Sequence, residues 1–158
     1  MTKLEIVNAI KKYFKVQELV SKAVYDKWGE KAWNFLDEKL LETLLVLRRD
    51  ILKVPLVCND WCYGGKSSQR GLRENICSIV KEKTDKGVLY LSQHCFGKAI
   101  DLVSSKMSAD DMRKTIKANE KKLPYNVRVE DGVSAPTWLH VDLMCDINQK
   151  EKVYFFKA

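Results

Sequence analysis

The chain contains two histidines, His94 and His140, and the setting of the first restricts the fold more than any other feature. His94 belongs to Ser92-Gln93-His94-Cys95-Phe96-Gly97-Lys98-Ala99-Ile100-Asp101, and His140 to Thr137-Trp138-Leu139-His140-Val141-Asp142. Two imidazoles and the Asp101 carboxylate are good ligands for a divalent metal of borderline softness. A three-ligand set leaves a fourth position for water, as catalytic zinc sites do and structural ones do not. Residues seven apart on a straight strand face opposite sides, so His94 and Asp101 converge only if the chain bends between them. Gly97 is placed to supply that bend. After it, Ala99 to Val103 reads as a strand with Ala99, Asp101 and Val103 on one face, the small Ala99 leaving room beside a crowded metal. Trp138 to Leu143 alternates so that Leu139, Val141 and Leu143 enter a core while His140 and Asp142 share the site face. Two neighbouring strands can then present all three ligands.

At 158 residues the chain is expected to form one domain, 1–158, with 1–50 helical and 51–158 carrying a sheet. A hydrophobic content of 46% with 31% charged residues is that of a soluble globular protein, and no apolar run reaches membrane-spanning length. Met1-Thr2-Lys3-Leu4-Glu5 lacks the apolar run of a secretory signal, so synthesis and initial retention in the cytoplasm are expected, and a monomer. The five cysteines are an odd set with no CxxC pair, which reads as free thiols in a reducing compartment. The net charge of +7 is spread over lysines interleaved with acids, as in Lys81-Glu82-Lys83. Without an arginine-rich or aromatic stacking motif it gives no specific nucleic-acid partner.

Thr2 is expected to cap a helix over 3–13, and a second helix runs from Glu18 to Trp28. The most apolar helix spans Glu38 to Asp50, with Trp28, Trp33 and Phe35 packed beneath it. Val54 to Asn59 and Val88 to Leu91 read as strands, with a short helix or turn at 74–82 between them. Ser108 opens a helix from Ala109 to about Lys121. Asn126 to Glu130 is a strand, Asp131-Gly132 a hairpin turn, Trp138 to Leu143 the antiparallel return, and Lys152 to Phe156 a last strand. The fold class is α+β, with N-terminal helices packed on a small, mainly antiparallel sheet.

Ser92-x-His94-x-x-Gly97-x-Ala99-x-Asp101 followed by Trp138-x-His140 resembles the M15 zinc peptidases. These are D-alanyl-D-alanine carboxypeptidases, dipeptidases and phage endolysins that share a fold with the Hedgehog signalling domain. The resemblance covers roughly Phe14 to Leu143 and implies a Zn2+ cofactor on His94, Asp101 and His140, and a peptidoglycan peptide as substrate. It also implies hydrolysis of a bond in the stem or cross-link, during phage lysis or cell-wall remodelling. Release to the cell wall or virion would then need no signal peptide. In Arg70-Gly71-Leu72-Arg73, Arg73 matches an arginine that faces the site in the family, and Arg70 stands where the family has serine. Arg73 is therefore expected to bind a substrate carboxylate or the tetrahedral oxyanion. Hedgehog-like domains also imply an alternative, a non-catalytic module that keeps zinc for structure.

One departure concerns the general base. Many members carry an acid three residues before the last histidine, where this chain has Thr137. The remaining acids are Glu130, Asp131 and Asp142. Asp131 is explained by its turn; Asp142 suits a partner that orients a histidine. Glu130 follows Arg128-Val129 as an acid does in phage-type relatives, and is the first choice for base, with Asp142 the alternative. Ser92 is expected to bond backbone near the ligand loop.

Overall fold

The computed structural model describes all 158 residues. Thr2 and Glu5 form a reciprocal cap that starts α1 (Lys3–Ile10), which buries Ile6, Val7 and Ile10. The helix expected over 18–28 is two pieces, α2 (Val16–Leu19) and α3 (Lys22–Trp28). Between them Val20 is extended and forms a parallel bridge with Leu72, and the Ser21 hydroxyl then caps α3 by accepting from the Val24 amide at 3.3 Å. The interruption pins the 70–73 segment to the helical layer. Asp37 caps α4 (Glu38–Val46), whose Leu40, Leu41, Leu44 and Leu45 are all buried. The chain then closes in a π-helical turn, Leu47–Ile51, where a continued α-helix was expected.

Of the strand expected over Val54 to Asn59, only a bridge between Val57 and Val103 forms. The helix expected at 74–82 lies further on, as α5 (Ser78–Asp85), and Val88 to Leu91 pair with nothing. β1 (Ala99–Leu102) is followed by α6 (Ala109–Ala118), which Ser108 caps and which passes into a 3-10 turn at Glu120–Lys122. β2 (Val127–Glu130), β3 (Leu139–Asp142) and β4 (Val153–Phe156) complete a mixed sheet of order β1-β3-β2-β4. β3 is antiparallel to both neighbours and β4 is parallel to β2. The fold is thus α+β, six helices with a four-stranded mixed sheet.

One face of the sheet carries Ile100, Leu102, Leu139, Val141, Val127, Val129 and Val153, all buried. The helix in contact with it is α6, whose Met112 and Ile116 are fully buried, and α6 in turn meets the π-turn after α4. The N-terminal helices therefore reach the sheet through α6 and one continuous core of 31 buried residues. Trp33 belongs to that core, but Trp28 and Phe35 are 44% and 41% exposed and pack edge-on against each other at 5.1 Å. They are not beneath α4 as expected.

The tight hairpin expected at Asp131-Gly132 is a longer loop, residues 131–138. Arg113 of α6 explains it: buried to 5% exposure, its guanidinium donates to the carbonyls of Glu130 (2.8 Å), Trp138 (2.7 Å) and Ala135. A buried arginine needs this many acceptors to offset its desolvation, and a two-residue turn could not bring three carbonyls to it.

Gly97 is the bend on which the other side of the sheet depends. It adopts φ +65°, and a Cβ there would stand 2.2 Å from the Phe35 carbonyl oxygen. Left-handed backbone costs a non-glycine residue about 1–2 kcal/mol, and the collision adds to it. Gly97→Ala is expected to lower unfolding free energy by ~2 kcal/mol or more in urea denaturation; an unchanged midpoint would mean that the turn does not need glycine.

Candidate metal centre

The face of the sheet away from α6 is polar. The register sets Asp101 opposite His140 and Ala99 opposite Asp142 across β1 and β3, and Arg128 opposite Asp142 across β2 and β3. Glu130 is two residues beyond Arg128, so the period of a strand returns it to the same face, beside His140. Phe156 on β4 pairs with Glu130.

His94 comes from outside the sheet, on the 3-10 turn Gln93–Phe96 that leads into β1. The Ser92 hydroxyl caps this turn by accepting from the His94 amide at 3.3 Å, the backbone role expected of it, and Gly97 ends it in the left-handed conformation. His94 is 3% exposed. Its Nδ1 lies 2.9 Å from the Gly71 carbonyl oxygen, to which it donates, and this turns Nε2 toward Asp101 Oδ2, 3.4 Å away. Gly71 is held in place because Leu72 donates to the Leu19 carbonyl at 2.9 Å and Arg73 to that of His94 at 3.1 Å. A Cβ at Gly71 would stand 2.1 Å from the Leu19 carbonyl oxygen.

His140 makes two carboxylate contacts, Nδ1 with Asp101 Oδ1 at 2.7 Å and Nε2 with Asp142 Oδ2 at 3.0 Å. Asp142 is fully committed. It takes a forked pair of bonds from Arg128 (2.9 and 2.8 Å) and a third from the Met144 amide (2.8 Å). Arg128 also covers the Phe156 ring, 4.3 Å from its centroid. Asp142 therefore orients His140 and leaves Nδ1 turned toward Asp101, as partners outside a ligand set do at metal sites.

Ligand atoms of His94, Asp101 and His140 all lie within 4.8 Å of one another, close enough for the three residues to hold one metal ion. No family model, curated protein or solved structure matches the chain.

The other expected site residues line the same open cleft of about 340 Å³. Arg73, only 12% exposed, donates through Nε to the Gln69 carbonyl (2.7 Å) and through Nη1 to the Tyr90 hydroxyl (2.9 Å). Its Nη2 lies 3.5 Å from Asp101 Oδ2. Glu130 is buried to 8% exposure, and its carboxylate has no hydrogen-bond or ion-pair partner. Burial pushes its carboxyl above the ordinary value. Asp131 spends its carboxylate on the amides of Val133 and Ser134, as its turn role requires. Thr137 is exposed. Sequence reasoning missed the Gly71 carbonyl, Tyr90 and the orienting role of Arg128. The one available signal was that Arg128 and Glu130 share a strand face opposite His140 and Asp142.

Burial is the largest single influence on both Asp101 and His140 and works against charge, but the hydrogen bonds and opposite charges together outweigh it: His140 and His94 at Asp101, Asp101 and Asp142 at His140. The Asp101 carboxyl is held well below the usual carboxylate range, and the imidazolium of His140 is raised from 6.5 to about 9. Folding thus tightens proton binding at His140 in the metal-free protein. Its stabilising contribution is complete below pH 6.5 and is lost as pH rises through about 9. The C2 proton of His140 in an NMR titration is expected to report a midpoint near 9, with urea stability falling over the same interval. A midpoint near 6.5 would show that the two carboxylates do not hold the proton.

Proposed function

We propose that the protein is a zinc-dependent peptidase of the M15 kind, with a Hedgehog-like arrangement of sheet and site, that hydrolyses a peptide bond in the stem or cross-link of peptidoglycan. The observation that carries this reading is a division of labour among four acids and two histidines. Asp101 and the two histidines converge as ligands, Asp142 orients His140, Asp131 holds a turn, and Glu130 alone is left uncommitted in the cleft.

Two imidazole nitrogens and a carboxylate are a donor set that suits zinc. Ligands about 2.0–2.2 Å from a tetrahedral ion lie roughly 3.4 Å apart; His94 Nε2 and Asp101 Oδ2 are 3.4 Å apart, while Asp101 Oδ1 and His140 Nδ1, at 2.7 Å, are drawn closer by the proton they share. His94 through Nε2, Asp101 through its carboxylate and His140 through Nδ1 would hold the ion, whose loading displaces the proton shared by Asp101 and His140. Zinc bound there supplies Lewis acidity, lowering the pKa of a water and polarising the scissile carbonyl.

Glu130 takes the proton of the attacking water. Its burial raises its basicity, and no competing hydrogen bond holds its carboxylate. It then returns the proton to the leaving amine, so that acid and base are the same group at successive steps. Arg73 turns its remaining guanidinium N–H groups to the oxygen that gains charge as the carbonyl becomes tetrahedral. Tyr90 and the Gln69 carbonyl fix the plane of that guanidinium. Phage or prophage lysis fits such a chemistry.

One zinc per chain is expected by metal analysis, and His94→Ala, Asp101→Ala and His140→Ala are each expected to lower it sharply. Full occupancy in all three would dismiss the ligand assignment. Digestion of purified peptidoglycan, with mass analysis of the released fragments, is expected to show new amino and carboxyl termini. A zinc-loaded protein that released nothing would support the non-catalytic binding module instead.

Glu130→Gln is expected to keep zinc and slow turnover by roughly 10²-fold or more. Asp142→Asn is expected to act mainly on zinc affinity, by ~10-fold or more, because it orients a ligand. Arg73→Ala is expected to retain zinc and slow turnover at least ~10-fold. A fully active Glu130→Gln protein would remove this residue from the mechanism.

A further inference from the structure

Residues 88–91, Val-Leu-Tyr-Leu, have the composition of a strand and none of its pairing. Val88 donates to the Lys83 carbonyl at 2.9 Å, closing the end of α5, and Ser92 caps the His94 turn, but Leu89, Tyr90 and Leu91 neither donate nor accept a backbone hydrogen bond. Side chains alternate as on a strand. Leu89 and Leu91 are 83% and 61% exposed, whereas Tyr90 turns inward and meets Arg73 at 2.9 Å. Exposed edges are ordinarily protected against pairing by charge, proline or a bulge. This one carries none of these between Gly87 and Ser92, and its Tyr90, Leu91 and Ser92 form one wall of the metal cleft.

The segment is exposed at Leu89 and Leu91, where solvent can reach the backbone, so a lack of protein partners is no penalty in the free protein. What they specify is the form of an occupant: backbone N–H and C=O groups free of protein partners, on a segment whose side chains alternate outward and inward, beside His94. We propose that residues 89–91 are a docking edge for the substrate, which adds its extended peptide backbone to them as a strand and so lays the scissile bond over the His94–Asp101–His140 centre. The inference rests on the peptidase reading above and names how that site takes its substrate. Recognition falls on main-chain amides of the peptide, leaving the glycan outside this edge. Tyr90, through Arg73, ties the position of the edge to that of the group facing the reacting carbonyl.

The test uses the full zinc-loaded chain with Glu130→Gln, to slow consumption, and soluble muropeptides released from purified sacculi by lysozyme as the probe. Amide hydrogen exchange at Leu89 and Leu91, or at Tyr90 if its side is the one used, is expected to slow at least tenfold on saturation. Proline at 89 and 91 together deletes two amide donors on the same side of the edge. In an otherwise wild-type chain it is expected to cut fragment release from sacculi at least tenfold with zinc content unchanged; if those variants lose zinc, the exchange measurement alone decides. Cleavage by the wild type with 89–91 exchanging at the free rate overturns the docking edge and leaves the peptidase reading intact. Absence of both cleavage and protection removes both. Protection that is equally strong with peptide-free glycan overturns the choice of occupant.

Discussion

The antiparallel register of β1 against β3 is the constraint on which the centre depends. It sets Asp101 directly opposite His140, and because side chains alternate along a strand, a slip of either strand by one residue would send its own ligand candidate to the core and bring Ile100 or Val141 to the cleft. The buried face holds the register, since Leu102 and Leu139, and Ile100 and Val141, are paired and almost wholly excluded from water. Hydrophobic burial on one side of the sheet thus determines which polar groups meet on the other.

Two arginines extend that order beyond the ligand pair. Arg128 holds Asp142, which holds His140, and the chain of bonds runs from β2 through β3 to Asp101 on β1. Arg113 acts from below, gathering the carbonyls at both ends of the 131–138 loop, so that Glu130 and the start of β3 keep a common frame. Arg113 is buried and satisfied by several carbonyls, and the half-buried Arg128 by both oxygens of Asp142, the condition under which an internal charge is tolerated. The proposed hydrolysis uses this rigidity, because a proton acceptor must stay within hydrogen-bond reach of the water it activates.

The helical layer contributes less through direct contact with the sheet than through what it holds against it. The break at Val20 admits Leu72, Leu19 receives the Leu72 amide, and the Phe35 carbonyl leaves room only for glycine at position 97. In this way α2 and the turn before α4 place the Gly71 carbonyl under His94 and aim the imidazole of a residue that belongs to no strand.

Local chemistry alone was enough to mark the three residues that converge as a candidate ligand set. Imidazole and carboxylate are scarce, distinctive donors, the alternation around Asp101 and His140 leaves one face polar, and the Gly97 bend follows from the need to bring His94 round. Helix starts at Thr2, Asp37 and Ser108 were equally legible, because a cap acts over three residues. What the sequence did not disclose depends on contacts between distant segments. The division of roles among Glu130, Asp131 and Asp142 is set by Arg128 and the turn amides, which consume two carboxylates and leave one. The long loop at 131–138 follows from an arginine eighteen residues away on another element, which overrides a local turn preference. The unpaired edge at 88–91 has strand propensity, but a strand exists only where a second backbone meets it, and tertiary structure places the metal cleft there instead.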